Sequence, residues 1–130
     1  MSGGQKQKGA IAGILALEPQ ILILDESSSM LDPLSKKELN ELILRLKKEK
    51  GLTIISITHD TNEVLNADQI IMLDKGKLIF DGNKEEFFRL DFDKLNIDLP
   101  YIIELEKALG YSTYLTEEEF FVTVGDKYEN

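Results

Sequence analysis

Cysteine is absent from this sequence, which excludes both a disulfide scaffold and a thiolate metal site. The absence fits a reducing cytoplasm. No apolar stretch approaches the roughly 20 residues of a membrane span, and no signal-peptide pattern leads the chain, so the expected membrane role is at most peripheral. Cations are scarce: 15 Lys and Arg stand against 24 Asp and Glu, a formal net charge of −9. Phosphate neutralisation needs clustered Lys and Arg, so this balance argues against a nucleic-acid binder. The longest basic cluster, Arg45, Lys47, Lys48 and Lys50, falls near a helix end, where cations suit the dipole in any case. Histidine occurs once, at His59. Repeats and low-complexity tracts are missing. Also missing is a G-x-x-x-x-G-K-[ST] loop, whose backbone N–H groups and Lys would cradle phosphates. Gly4 to Gly9 has the glycine spacing, but Ala10-Ile11 follows it.

What is present reads as globular: 42% hydrophobic and 30% charged residues over 130 positions, enough for one domain with a modest core or part of a larger one. Residues 5–17 carry Ala10, Ile11, Ile14, Leu15 and Leu17 at helical spacing, ending before Pro19. The run "ILIL" at 21–24 reads as a parallel strand buried on both faces. Asp32 then suits an N-cap with Pro33 at the first helical position. Leu39, Leu42, Ile43 and Leu46 form an apolar stripe that ends at Gly51. "TIISIT" at 53–58 is a second buried strand, a short helix is expected over 61–67, and "IIML" at 70–73 is a third apolar run. Asp74-Lys75-Gly76-Lys77 predicts a hairpin turn into "LIFDG". Strand–helix–strand–helix–strand with buried runs indicates an α/β protein with a parallel sheet. Beyond it, 84–90 reads as a helix, "FDKLNIDLP" as a linker and Pro100 to Leu109 as an amphipathic helix. Thr116 and Glu119 make a capping box.

Chemistry is concentrated at strand ends. Asp25-Glu26 closes the first buried strand, at the edge where α/β sheets bind ligands. A carboxylate there suits a hard cation such as Mg²⁺, and its neighbour suits a general base; an N-cap followed by a solvated loop explains the same pair equally well. His59 follows the second buried strand, so the sites can share one edge; a lone His is otherwise an ordinary surface residue. At the other end of the chain, Ser2, Gly3 and Gly4 precede a helix whose unpaired N–H groups attract anions. The glycines lack the Cβ that would keep backbone and anion apart.

Taken in order, "MSGGQKQ", "ILILDE", "SMLDP" and "ITHD" resemble the motifs of the ATP-binding-cassette nucleotide-binding domain. "AIAGILALEP" and the tail from "FDGNKEEFFRL" resemble the ATPase subunits of energy-coupling-factor and cobalt-type importers. The resemblance implies a partial P-loop NTPase fold of the α/β class, with parallel central strands, a C-terminal β-hairpin and an α-rich appendage. Residues 1–90 would be the C-terminal half of the cassette and 91–130 a C-terminal extension, the half bearing the phosphate cradle being absent from these residues.

The same resemblance implies roles. Ser2, Gly3, Gly4 and Gln5 match the signature loop that contacts the γ-phosphate of ATP held by an opposite subunit. Asp25 matches the aspartate that positions Mg²⁺, Glu26 the glutamate that activates water, and His59 the histidine that senses the γ-phosphate. Asp32 matches the aspartate that crosses the dimer interface. The implied partners are a second cassette ATPase subunit in a homo- or heterodimer, a transmembrane coupling protein and a membrane substrate-binding subunit, without nucleic acid. The implied place is the cytoplasm, peripheral on the inner face of the cell membrane, and the implied function is ATP hydrolysis driving uptake of a metal ion or vitamin. The isolated chain is expected to be inactive. Competing readings are a non-catalytic regulatory partner of a full-length cassette ATPase and a soluble cassette protein without a transport role.

Overall fold

The computed structural model describes residues 3–128, in two compact units, one ending at Asp60 and the other beginning at Thr61. The first contains α1 (Gly3–Leu15), β1 (Ile21–Asp25), α2 (Pro33–Lys50) and β2 (Thr53–Ile57). β1 and β2 pair in parallel from Ile21↔Thr53 to Asp25↔Ile57, with α2 as the crossover. Asp32 caps α2, its carboxylate accepting the Ser35 N–H at 3.1 Å. Gly51 stops the helix at φ 64°, a left-handed conformation that costs glycine nothing.

The core of this unit is Leu22 and Leu24 packed with Ile11, Leu39, Leu46 and Leu52. Alternation along the strand puts Ile21 and Ile23 on the opposite face, where they are 56% and 61% exposed, and Ile55 and Ile57 of β2 are exposed as well. The expectation of strands buried on both faces is therefore corrected. α1 and α2 both pack on the Leu22–Leu24 side, and no described element of the unit covers the isoleucines.

The second unit contains α3 (Thr61–Val64), β3 (Ile70–Asp74), β4 (Lys77–Gly82), α4 (Lys84–Phe87), α5 (Phe92–Leu95), α6 (Tyr101–Ala108) and α7 (Glu117–Tyr128). As the sequence predicts, β3 pairs antiparallel with β4 in a hairpin, with an irregularity between Met72 and Leu73. The intervening turn explains it. Lys75 and Gly76 both take positive φ, 47° and 76°, and a two-residue turn of that hand returns the chain at once. α3 and α4 are single turns, shorter than their apolar patterns predict. The expected linker holds α5, because Asp91 accepts the Lys94 N–H at 3.3 Å and Phe92 is buried.

Aromatic rings fill this second core. Phe88 stacks on Phe92 and on Tyr114, each with ring centroids 5.9 Å apart, and Phe87 meets the edges of Phe80, Phe88 and Phe92. Glu106 is 1% exposed among them, and its carboxylate accepts the N–H groups of Thr113, Tyr114 and Leu115 at 3.2, 2.8 and 2.9 Å. A buried carboxylate is tolerable only when so satisfied. The capping box is present, Thr116 N–H donating to Glu119 Oε2 at 2.9 Å and Glu119 N–H to Thr116 Oγ1 at 3.4 Å.

Candidate functional site

Parallel pairing decides the geometry of the first unit's sheet edge. Because Asp25 stands opposite Ile57, the residues that follow β1 and β2 leave on the same side. Glu26 extends the ladder by one bond, its N–H donating to Ile57 O at 2.8 Å. It then takes φ 44°, a left-handed conformation unusual for a residue with a Cβ and worth about 1–2 kcal/mol of strain. Ser29 holds it there, donating to the Glu26 carbonyl through its N–H at 3.1 Å and its hydroxyl at 2.9 Å. The turn aims the carboxylate across the edge, where Glu26 Oε1 lies 3.3 Å from His59 Nδ1. Both side chains stay open to solvent, at 54% and 77% exposed, so the pair is held where a ligand can reach it.

The other expected site residues form a second cluster. Gly3, Gly4 and Gln5 make the first turn of α1, while Ser2 lies outside the described residues. Gly4 is buried, and a Cβ built on it would sit 2.8 Å from Ser35 Oγ and 3.0 Å from Ser35 Cβ. Its missing side chain thus admits α2, a packing reason that the sequence reading did not contain. The same Ser35 hydroxyl donates to Asp32 Oδ2 at 2.6 Å, so Gly4 and Asp32 meet through one serine. Ser35 holds the Asp32 carboxyl below its ordinary value of 3.8, its hydroxyl contributing most and its N–H next. Lys8 and Glu38 form an ion pair further along the two helices.

The donor set bears on which cation could be held. Asp25 and Glu26 are adjacent, and among the described residues no group of three or more His, Asp or Glu converges. That does not fit a caged ion. It fits Mg²⁺, which takes one or two carboxylates and completes its octahedron with phosphate oxygens and water.

No family model matches the chain. The energy-coupling factor transporter ATP-binding protein EcfA1 of Lactobacillus delbrueckii subsp. bulgaricus is 48% identical over 111 residues, which is 84% of this chain and 39% of that protein. The structure of cbiO1 from Clostridium perfringens, part of the transporter complex cbiONQ, is similar at TM-score 0.66 and 40% identity, over 82% of this chain and 44% of that one. The chain belongs to the ATP-binding-cassette ATPase family. A further cassette, solved as a post-hydrolysis dimer bound to ADP and Pi, is similar at TM-score 0.57 and 34% identity, over 64% of this chain and 36% of that one. This cassette chain therefore spans less than half the length of the relatives it matches. No helix among its described residues is long and apolar enough to cross a membrane.

Sequence reasoning missed Ser35 and Lys36. Lys36 Nζ donates to Asp60 Oδ2 at 3.2 Å, a contact between positions with no one-dimensional signal. Glu106 left a trace: it falls on the stripe of Ile102 and Ile103, where a charge has no place unless it is paired.

Proposed function

We propose that this chain forms the C-terminal half of the ATP-hydrolysing subunit of an importer of the energy-coupling-factor type. Residues 1–90 would belong to the cassette and 91–130 to an extension. The observation that carries the reading is the β1–β2 register, which sets Asp25-Glu26 beside His59 on one open edge. Glu26, poised in its left-handed turn, takes the role of general base and draws the proton from the attacking water. His59 reaches the γ-phosphate with a ring nitrogen and meanwhile restrains the Glu26 carboxylate. Asp25 would hold Mg²⁺, which when bound supplies neutralisation of phosphate charge. Gly3, Gly4 and Gln5 present helix N–H groups to the γ-phosphate of ATP on a second cassette subunit, Ser2 is assigned to the same ligand, and Asp32 stands at that interface. The exposed isoleucines of β1 and β2 suit a segment bearing the phosphate cradle. A metal ion or vitamin is the cargo class, carried through membrane subunits with the cassette on the cytoplasmic face.

The test is a reconstitution. Alone, the 130 residues should hydrolyse no ATP; robust Mg²⁺-dependent turnover that Glu26→Gln leaves unchanged would falsify the assignment. Supplied with the cradle-bearing segment of a full-length relative, the chain should gain turnover. Glu26→Gln should then lower it by about 10²–10⁴-fold while ATP stays bound. Association with a full-length cassette ATPase without any such gain favours the non-catalytic reading, in which the chain only occupies a partner's dimer face. Recovery solely with ribosomes removes the transport claim.

A further inference from the structure

His59 is the apex of a short turn, and two contacts pin that turn. On one side Thr58 Oγ1 accepts the Asp60 N–H at 3.0 Å, closing the backbone around the histidine. On the other, Asp60 Oδ2 accepts from Lys36 Nζ at 3.2 Å, both side chains being partly buried at 24% and 34% exposure. Lys36 belongs to the opening turns of α2, next to Ser35, which packs on Gly4 and donates to Asp32. Two neighbouring residues of one helix thus reach both clusters of candidate site residues.

We propose that Lys36 is a positioning residue: through Asp60 it fixes the turn that keeps His59 against Glu26, and it couples that turn to the Asp32 loop. Partly exposed ion pairs contribute little to stability, so holding geometry is the role left to this one. Among the described residues His59 makes a single side-chain polar contact, at 3.3 Å, and it is 77% exposed. An imidazole so open to water samples other rotamers unless its backbone is held. A shift of the Asp32 loop would move the start of α2, carry Lys36 with it and re-aim the histidine. This consequence for catalysis rests on the ATPase reading above; the geometric claim does not.

The test is nuclear magnetic resonance on the full chain, reading the Overhauser contact between the His59 ring and the Glu26 side chain. Lys36→Met should weaken that contact on the order of threefold, the population change expected from losing one partly exposed ion pair. Lys36→Arg should preserve it, and Lys36→Asp combined with Asp60→Lys should restore it. An undiminished contact in Lys36→Met overturns the inference. So does equal loss in Lys36→Arg, absence of the contact from the unsubstituted chain, or collapse of the whole unit's spectrum in Lys36→Met. Failure of the reconstitution described above leaves these outcomes as they are, so the two readings fail separately.

Discussion

The two units solve the burial problem in different ways. The one beginning at Thr61 closes a core around stacked aromatic rings and places a deeply buried carboxylate, Glu106, under three backbone donors. The one ending at Asp60 buries a single face of its parallel strands and leaves Ile21, Ile23, Ile55 and Ile57 in water. Yet this more open unit carries every described candidate site residue: Gly3, Gly4, Gln5, Asp25, Glu26, Asp32 and His59. Open strand ends and exposed side chains are what a substrate needs, whereas a closed aromatic core serves stability.

The sharpest way to break that contrast is to empty the closed core. Phe88→Ala should cost about 3–5 kcal/mol, measured by urea unfolding followed at the aromatic signals. Next in size, Glu106→Ala strips the acceptor from buried N–H groups and should cost about 1–3 kcal/mol in the same assay. A result near zero would show that water reaches the 113–115 backbone. In the open unit, Gly4→Ala should cost about 1–3 kcal/mol by crowding Ser35, and Ser35→Gly in the same chain should recover most of it. No recovery would mean that the glycine matters for some other reason than this packing. At the small end, Ile23→Thr should change unfolding by less than about 0.5 kcal/mol. It should nonetheless reduce self-association seen by sedimentation, since it removes exposed apolar surface.

Acid should act on both units alike and so marks what they share. Ser35 lowers the Asp32 carboxyl from 3.8, and Thr116 lowers that of Glu119 from 4.5, its N–H first and its hydroxyl next, against a raising effect of burial. A carboxyl depressed in the folded state binds its proton more readily when unfolded. Its stabilisation is complete above the ordinary value and is lost as pH falls through the lower, folded one. Helix content should therefore decline below about pH 4, and the Asp32 share of that decline should vanish in Asp32→Asn.

How much was legible in advance follows from the range of each interaction. Asp32 and Pro33 at the start of α2, Gly51 at its end, the Lys75-Gly76 turn and the Thr116–Glu119 box were readable because every partner lies within a few residues. The helix inside "FDKLNIDLP" was missed because its cap is an aspartate among other loop-forming residues and its anchor, Phe92, is a single ring. The third apolar run was legible as a strand. Its antiparallel pairing with β4 was legible too, because the Lys75-Gly76 turn that follows it predicts the hairpin.

By itself, the sequence determined the family's motifs, the order of the strands and of all helices but the short one at Phe92–Leu95, and which carboxylates and histidine stand at strand ends. These depend on local chemistry and spacing. Only the tertiary structure decided that Glu26 turns toward His59, that Gly4 is bare to admit Ser35, that Lys36 ties down Asp60, and that one face of the parallel pair stays open. The first three join residues distant along the chain, and these pairings and the open face alike are set by how the helices pack on the sheet.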